Sequence, residues 1–262
     1  MHWVLQSDIY REEGYESLRD AIRRMDIPNT EVKMIPFSHE IVPEPVVENP
    51  AVVMGSISLC NYAKEKGWAP GAFINGYNFN HSAYKCGYGK HLLNYDAHVV
   101  KFGEADTADP NLDVFFLRPY DDSKCFAGEI ISRCDFQDWQ EKVRRIQDEN
   151  YTTISTETVV TVASVKKILR EYRFFVVDGR VITGSLYKMG NRVTYQSQVD
   201  DDVSRFAQRM TYQFEPDRAF VLDIALTEDG FKVIEVNCFN AAGFYACDVT
   251  KIIHAVEGMS GL

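Results

Sequence analysis

Apolar and polar residues follow one another in blocks along the first third of the chain, and these blocks predict a small α/β lobe. Strands are predicted over residues 3–6, 32–36 and 51–56, because each is a short apolar run. Between the first two, apolar residues recur at helical spacing over residues 12–25. Ser56 is placed to cap the helix that follows the third strand. This order of elements indicates an open, parallel sheet with helices packed on it.

The rest of the chain contains two pairs of apolar strands, and an Asp-Gly turn joins the strands of each pair, as in β-hairpins. The paired strands cover residues 171–177 with 181–188, and residues 220–226 with 231–237. The same patterns predict further strands over residues 113–119 and 158–162, and helices over residues 82–95, 136–148, 201–212 and 245–256.

The second hairpin is unusual because acidic residues interrupt its apolar strands. If its loop has three residues, with Gly230 in the left-handed conformation, Asp223 lies directly opposite Glu235. Asn237 then projects from the same face, because side chains alternate along a strand. Like charges on paired strands repel each other, so we expect a cation between the two carboxylates.

Two carboxylates and an amide oxygen are hard ligands of the kind that hold Mg²⁺ together with nucleotide phosphates. The sequence therefore predicts a metal site at Asp223, Glu235 and Asn237. The alternative is an ordinary hairpin with acids on a solvated face. A two-residue turn would favour that alternative, since it would make the two acids diagonal neighbours.

Composition and charge exclude several classes of protein. The chain has 262 residues, of which 45% are apolar and 25% charged, as in a globular protein. Its formal net charge of -10, without a basic run, argues against binding to nucleic acid. No apolar stretch is long enough for a membrane helix, the N-terminus does not resemble a signal peptide, and we expect a cytoplasmic protein. The six cysteines form no C-x-x-C pair, which argues against a zinc site or a disulfide framework.

Common nucleotide-binding motifs are absent from the sequence. Gly87-Tyr88-Gly89 is followed by Leu92 where a dinucleotide fingerprint needs glycine, and no predicted strand precedes it. A phosphate-binding loop of the G-x-x-x-x-G-K-[ST] type is missing as well.

The order of the motifs from residue 111 to 248 resembles the ATP-grasp superfamily. A strand ends in Arg118-Pro119, a polar loop contains Lys124, a strand begins Glu171-Tyr172-Arg173, a hairpin ends in Lys188, and Glu235-Val236-Asn237 follows the Asp223 strand. The chain is most similar to the clade in which an arginine replaces a phosphate-contacting lysine. By this resemblance, residues 1–110 form an N-terminal α/β lobe with a helical connection, and residues 111–262 form the ATP-grasp domain.

The resemblance implies an α+β fold in which two subdomains hold ATP, and a reaction in which a carboxylate is phosphorylated and an amine displaces the phosphate. Asp223, Glu235 and Asn237 would hold Mg²⁺. The other implied ATP-binding and catalytic residues are Arg118, Lys124, Glu171, Arg173 and Lys188.

Each of these implied roles has a structural alternative. Arg118 could instead pair with a nearby aspartate, Lys124 and Lys188 could be surface lysines, and Glu171 and Arg173 could pair with each other. Asn240 could reach a substrate or cap a turn. The polar loop has glycine only at Gly128, and the arginine that usually follows the Glu-x-Asn element is missing. An upstream lysine that many members carry has no clear counterpart.

The resemblance leads us to expect an ATP- and Mg²⁺-dependent carboxylate-amine ligase. Its substrates would be small molecules or peptides. The alternatives are a nucleotide-binding module without ligase turnover and a phosphotransferase. The sequence does not specify the two substrates or the oligomeric state.

Overall fold

The computed structural model describes residues 1–9, 14–35, 38, 40–146 and 153–261. The chain forms two compact units, one from Met1–Asn78 with Ile168–Leu262 and the other from Phe79–Lys167. The domain boundary at residue 110 stays a prediction. The predicted helix start at Glu12, strand end at Pro36 and helix end at Asp148 lie outside the described residues.

The first unit contains an N-terminal sheet with strand order β3-β2-β1-β4-β5. Its first helix follows β1, and Ser56 caps the second helix by accepting a hydrogen bond from the Leu59 amide, as predicted. Four of the strands are parallel, and only β3 pairs antiparallel. The strands and helices are β1 (His2–Gln6), α1 (Tyr15–Arg24), β2 (Asn29–Met34), β3 (Ile41–Val42), β4 (Ala51–Met54), α2 (Ile57–Glu65) and β5 (Pro70–Gly71).

The first unit also contains an antiparallel sheet with strand order β12-β11-β10-β13-β14. Both predicted hairpins belong to this sheet. Its strands and the two associated helices are β10 (Arg170–Val177), β11 (Arg180–Met189), β12 (Arg192–Gln196), α5 (Asp201–Gln213), β13 (Ala219–Thr227), β14 (Gly230–Cys238) and α6 (Val249–Glu257). Helix α6 starts four residues later than predicted, because the Asp248 side chain caps it.

One apolar cluster joins the two sheets of the first unit. Trp3 and Leu5 of the N-terminal sheet pack in the same core as Phe175 of β10, Phe239 and Ile252 of α6. The first 78 residues and the last 95 therefore share a hydrophobic core, although 89 residues separate them in sequence.

The second unit is a sheet with strand order β6-β9-β7-β8 and two helices. Aromatic rings of Phe102, Phe115, Phe136 and Trp139 fill its core. Its elements are α3 (His81–Tyr88), β6 (His98–Lys101), β7 (Val114–Pro119), β8 (Glu129–Ser132), α4 (Arg133–Ile146) and β9 (Val159–Ser164).

The helix predicted over residues 82–95 is shorter than expected. It ends at Tyr88, and Gly89 adopts a φ of 54°, which favours glycine at a helix end. The mixed α/β fold confirms the expected fold class. Within the described residues, every helix is too short or too polar to cross a membrane.

Candidate active site

A row of polar and aromatic side chains crosses one face of the antiparallel sheet in the first unit. The row comprises Tyr195 on β12, Tyr187 and Lys188 on β11, Glu171 and Arg173 on β10, Asp223 on β13, and Glu235 and Asn237 on β14. We call these residues the charged row. It contains all the predicted site residues that belong to the first unit.

The hairpin of β13 and β14 places Asp223 opposite Glu235, but not through the three-residue loop considered above. Thr227 pairs with Gly230, which leaves a two-residue loop, although Gly230 has the expected positive φ of 92°. A β-bulge between Asp223 and Ile224 shifts the register by one residue. The bulge thereby restores the pairing that a two-residue turn would otherwise lose.

Arg173 binds the Asp223 carboxylate in a bidentate pair. Arg173 Nε donates to Oδ1 at 2.9 Å and Nη2 donates to Oδ2 at 2.7 Å, while Nη1 donates to the Gly243 carbonyl at 3.1 Å. Arg173 is 7% exposed and Asp223 is 1% exposed. The alternative that Arg173 pairs with Glu171 is therefore wrong.

Burial raises the pKa of Asp223 to about 6, and the negative charges of Glu235 and Glu171 act in the same direction. Arg173 opposes this rise by stabilising the carboxylate. Burial acts to lower the pKa of Arg173 itself, yet the Asp223 charge raises it above its ordinary value. The guanidinium thus stays charged beside the carboxylate.

Glu171 is held by two neighbours on β11. The Tyr187 hydroxyl donates to Glu171 Oε2 at 2.8 Å, and Lys188 Nζ lies 2.7 Å from Oε1. Burial first, and then the charges of Asp223 and Glu171, raise the pKa of Tyr187. Lys188 is therefore bound within the row, and the alternative of a solvated surface lysine is wrong.

Asn237 links the two carboxylates of the acidic hairpin. Its Nδ2 lies 3.2 Å from Asp223 Oδ2 and 3.1 Å from Glu235 Oε1, so the three side chains meet at one point. Two carboxylates and an amide oxygen fit a hard divalent cation. The described residues contain no group of three His, Cys, Asp or Glu side chains placed to bind a metal. Any metal ligation here thus involves the Asn237 amide, with its oxygen turned inward.

Sequence reasoning missed three stacked tyrosines at the β12 end of the charged row. Tyr245 stacks between Tyr187 and Tyr195, with ring centres 4.8 Å and 5.3 Å away. Arg173 Cζ lies 4.6 Å from the centre of the Tyr245 ring. The three rings come from separate parts of the chain, so no local sequence pattern indicated the stack.

Arg118 and Lys124 belong to the second unit. Arg118 is half-buried on β7, opposite Thr161 on β9, and Lys124 is exposed in the loop after β7 with a positive φ of 53°. A Cβ on Gly128 would come within 3.2 Å of the Arg118 Cβ, so glycine lets the loop pass close to Arg118.

The loop after β7 is better anchored than its sequence suggested. The Tyr120 hydroxyl donates to Asn80 Oδ1 at 3.0 Å, and the Ser123 amide donates to Asp121 Oδ1 at 3.1 Å. Phe126 packs edge-on against Trp139, with ring centres 5.3 Å apart. The expectation that no apolar residue fixes this loop is therefore wrong.

His81, at the start of α3, is a buried histidine that sequence reasoning did not single out. It is 6% exposed, and within the described part of the chain its Nε2 has no hydrogen-bond partner. Burial lowers the pKa of His81 to about 4, and the positive charges of Arg118 and Lys85 act in the same direction. His81 is thus uncharged near neutral pH.

Asn240 has a structural role. Its Oδ1 accepts from the Phe73 amide at 2.8 Å and its Nδ2 donates to the Val53 carbonyl at 2.7 Å. The side chain is 1% exposed and holds the end of β14 against the N-terminal sheet. These bonds favour neither the turn cap nor the substrate contact considered from sequence.

A family model of the ATP-grasp domain, family 3 of the arginine-to-lysine clade, matches residues 15–256. This chain belongs to that family. A search of curated proteins found no sequence match.

Solved structures with the same fold are similar over almost the whole chain. D-cycloserine synthetase DcsG has a TM-score of 0.64 and 13% identity, covering 98% of both chains. D-alanine–D-alanine ligase from Bacillus anthracis has a TM-score of 0.60 and 11% identity, covering 98% of this chain and 92% of that one. The ATP-grasp ligase PsnB, complexed with a minimal precursor, has a TM-score of 0.57 and 11% identity, covering 98% and 97%. These similarities show the shared fold.

Proposed function

We propose that this protein is an ATP- and Mg²⁺-dependent ligase that joins a carboxylate to an amine through an acyl phosphate. The observation that carries the proposal is the meeting of Asp223, Glu235 and Asn237 on the sheet face of a chain from the ATP-grasp family. Carboxylate and amide oxygens in this arrangement suit Mg²⁺ bound together with phosphates.

In this proposal Asp223, Glu235 and Asn237 hold the metal, which neutralises phosphate charge during transfer when bound. A carboxylate oxygen has more than one lone pair, so the Arg173 pair still leaves Asp223 acceptor capacity. Arg173 fixes the orientation of Asp223 and offsets its charge. The protein then acts mainly by positioning and charge neutralisation.

The proposed phosphate contacts come from three cations. Lys188 is oriented by Glu171, at 2.7 Å, and would contact phosphate from β11. Arg118 offers a planar fork that can bind two phosphate oxygens, and Lys124 a point charge on an exposed loop. Glu171 would take part in ATP binding from β10.

The substrates in this proposal are a carboxylate and an amine, borne by small molecules or by a peptide. The printed names of similar structures include a D-alanine–D-alanine ligase and a ligase complexed with a peptide precursor, which supports both sizes. A cytoplasmic location is part of the proposal, and all six cysteines are free, as in reducing compartments.

A second candidate is a nucleotide-binding module without ligase turnover. The bidentate Arg173 pair favours it, since both oxygens of Asp223 already have a partner. This candidate predicts stabilisation by nucleotide without release of ADP.

The test is a screen of amino acids, small acids and short peptides, in pairwise pools, for ADP release with mass analysis of products. The ligase proposal expects ADP only when a carboxylate and an amine are both present, with loss of water in the product mass. Glu235→Gln should abolish the signal, and Asp229→Asn, in the exposed turn of the same hairpin, should preserve it. Stabilisation by Mg-ATP without ADP in every pool would favour the binding module, and a phosphorylated final product would favour a phosphotransferase.

A further inference from the structure

The tyrosine stack continues the charged row outward to the edge of the sheet. Adjacent ring planes are nearly parallel, at 23° between Tyr187 and Tyr245 and 15° between Tyr245 and Tyr195. Tyr195, the outermost ring, is 40% exposed on the edge strand β12. The stack therefore offers an aromatic surface to solvent at the end of the candidate active site.

The position of Tyr245 is fixed by a strained and well-anchored segment. Tyr245 has a φ of 50°, which is rare for a bulky side chain. The neighbouring amide of Ala246 donates to the Ser185 hydroxyl at 3.2 Å, and the Asp248 amide donates to Thr183 Oγ1 at 3.0 Å. Strain of this kind persists only where surrounding contacts impose it, and it is concentrated at functional sites.

We infer that the outer face of Tyr195 binds an aromatic ring of one of the two substrates. This inference rests on the proposed ligase function and specifies a substrate class for it. A planar ring on Tyr195 would extend a series of near-parallel rings by one more layer, the offset stacking that aromatic pairs favour.

The charges around Tyr195 favour a neutral ring over a cation. Every charged residue on strands β11 and β12 is positive: Arg180, Lys188 and Arg192. The inner end of the stack already holds a cation, Arg173. A guanidinium or ammonium group on Tyr195 would meet this positive hairpin, whereas a carboxylate next to the substrate ring would be attracted to it.

The length of the stack fits an aromatic amino acid or a short peptide that contains one. Arg173 lies 4.6 Å from the Tyr245 ring, which lies 5.3 Å from the Tyr195 ring. The guanidinium and the outer ring are thus at most about 10 Å apart, the span of about three extended residues. A substrate ring on Tyr195 therefore leaves its backbone within reach of the charged row.

The test measures binding of four free amino acids, tyrosine, tryptophan, leucine and arginine, to the full-length chain by saturation-transfer NMR. Measurements are made with and without Mg²⁺ and a non-hydrolysable ATP analogue. Tyrosine and tryptophan should bind about tenfold more tightly than leucine or arginine in at least one of these conditions. Tyr195→Leu should remove this preference. Tyr195→Phe keeps the ring and should retain it, as should Tyr212→Leu, a control at a tyrosine that is 77% exposed on α5.

The inference is overturned if leucine or arginine binds as tightly as the aromatic amino acids, or if Tyr195→Leu keeps the preference. It is also overturned if adenosine alone competes away the aromatic probes, which would assign the ring surface to the nucleotide. Binding is read without turnover, so an aromatic preference without ADP release would refute the ligase proposal and leave this inference intact.

Discussion

The charged row of the first unit and the Arg118 region of the second unit hold their charged groups in different ways. In the row, Asp223 and Arg173 are almost fully buried and bonded to each other, and Glu171 has partners at 2.7 and 2.8 Å. In the second unit, Lys124 is exposed on a loop and Arg118 is half-buried at a strand end. The row is thus organised before any ligand arrives, whereas the exposed loop depends on its ligand for further order.

The largest expected effect comes from breaking the buried pair in the row. Arg173→Met leaves Asp223 without its partner and should lower the free energy of unfolding by roughly 3–5 kcal/mol. Replacing both residues, as Arg173→Met with Asp223→Leu, should recover much of this loss. Urea unfolding monitored by circular dichroism measures both changes.

A matched control for that pair is Arg218→Met. Arg218 binds Asp178 at 2.8 Å, with both side chains about 40% exposed, so its loss should cost less than about 1 kcal/mol. Equal losses for Arg173→Met and Arg218→Met would show that the row is no better organised than the surface.

The next effect concerns the metal. Removing Mg²⁺ with a chelator, or changing Glu235 to Gln, should weaken ATP binding roughly tenfold or more, because a charged ligand of the cation is lost. Isothermal titration calorimetry measures the affinity, and Asp229→Asn should leave it unchanged. ATP affinity that ignores both the chelator and Glu235→Gln would make the acidic hairpin purely structural.

The Arg118 region gives the third prediction. Arg118→Lys keeps the charge but loses the bidentate geometry, and should lower ATP affinity or turnover by up to about tenfold, with Arg118→Ala worse. Arg145→Lys, on the exposed surface of α4, is the control. If Arg118→Lys matches the parent chain, Arg118 acts only as a point charge, and full activity in Arg118→Ala would remove it from the site.

A smaller effect is expected in the loop from Tyr120 to Gly128. Amide hydrogen exchange there should slow when Mg²⁺ and a non-hydrolysable ATP analogue bind, most clearly around Lys124, between the anchors at Tyr120 and Phe126. Lys124→Ala should raise ATP hydrolysis relative to ligation a few-fold, because closure over the phosphates excludes water. Protection that appears only outside this loop would show that another segment covers the nucleotide.

The smallest effect tests whether the Arg118 region is itself partly organised. The pKa of His81 falls from 6.5 in an unfolded chain to about 4 on folding, so the unfolded state takes up the proton first. The resulting loss of stability should begin as the pH falls below 6.5 and continue down to about 4. Urea unfolding from about pH 7 to about pH 4 should show a shallower decline for His81→Gln than for the parent chain. Parallel curves would mean that His81 stays solvated.

The acidic hairpin shows how far sequence could predict this molecule. Its strands, its facing acids and the position of Asn237 all followed from alternation and an Asp-Gly turn. The bulge that aligns Asp223 with Glu235 did not, because its cause lies in the packing of the whole sheet. The predicted register was right, but it arises from a shorter loop and a bulge.

Contacts between distant segments were beyond sequence reasoning for a related reason. Arg173 could be placed on a strand face, but its partner Asp223 lies 50 positions away, and two carboxylates competed for it. The tyrosine stack needs three such distant contacts at once. Short edge strands, such as β3 and β5 with two residues each, carry too little pattern to be recognised.

The shared core of Met1–Asn78 and Ile168–Leu262 has a consequence for how the chain folds as it is made. Trp3 and Leu5 leave the ribosome early, but partners such as Phe239 and Ile252 are translated last. At about 5–20 residues per second, the N-terminal strands wait on the order of ten seconds or more for the surface that covers them. During that interval the second unit, continuous in sequence, can fold first, while the N-terminal lobe exposes apolar surface to chaperones. A nascent chain stalled before residue 168 should therefore bind holdase chaperones, and release from them should follow completion of α6.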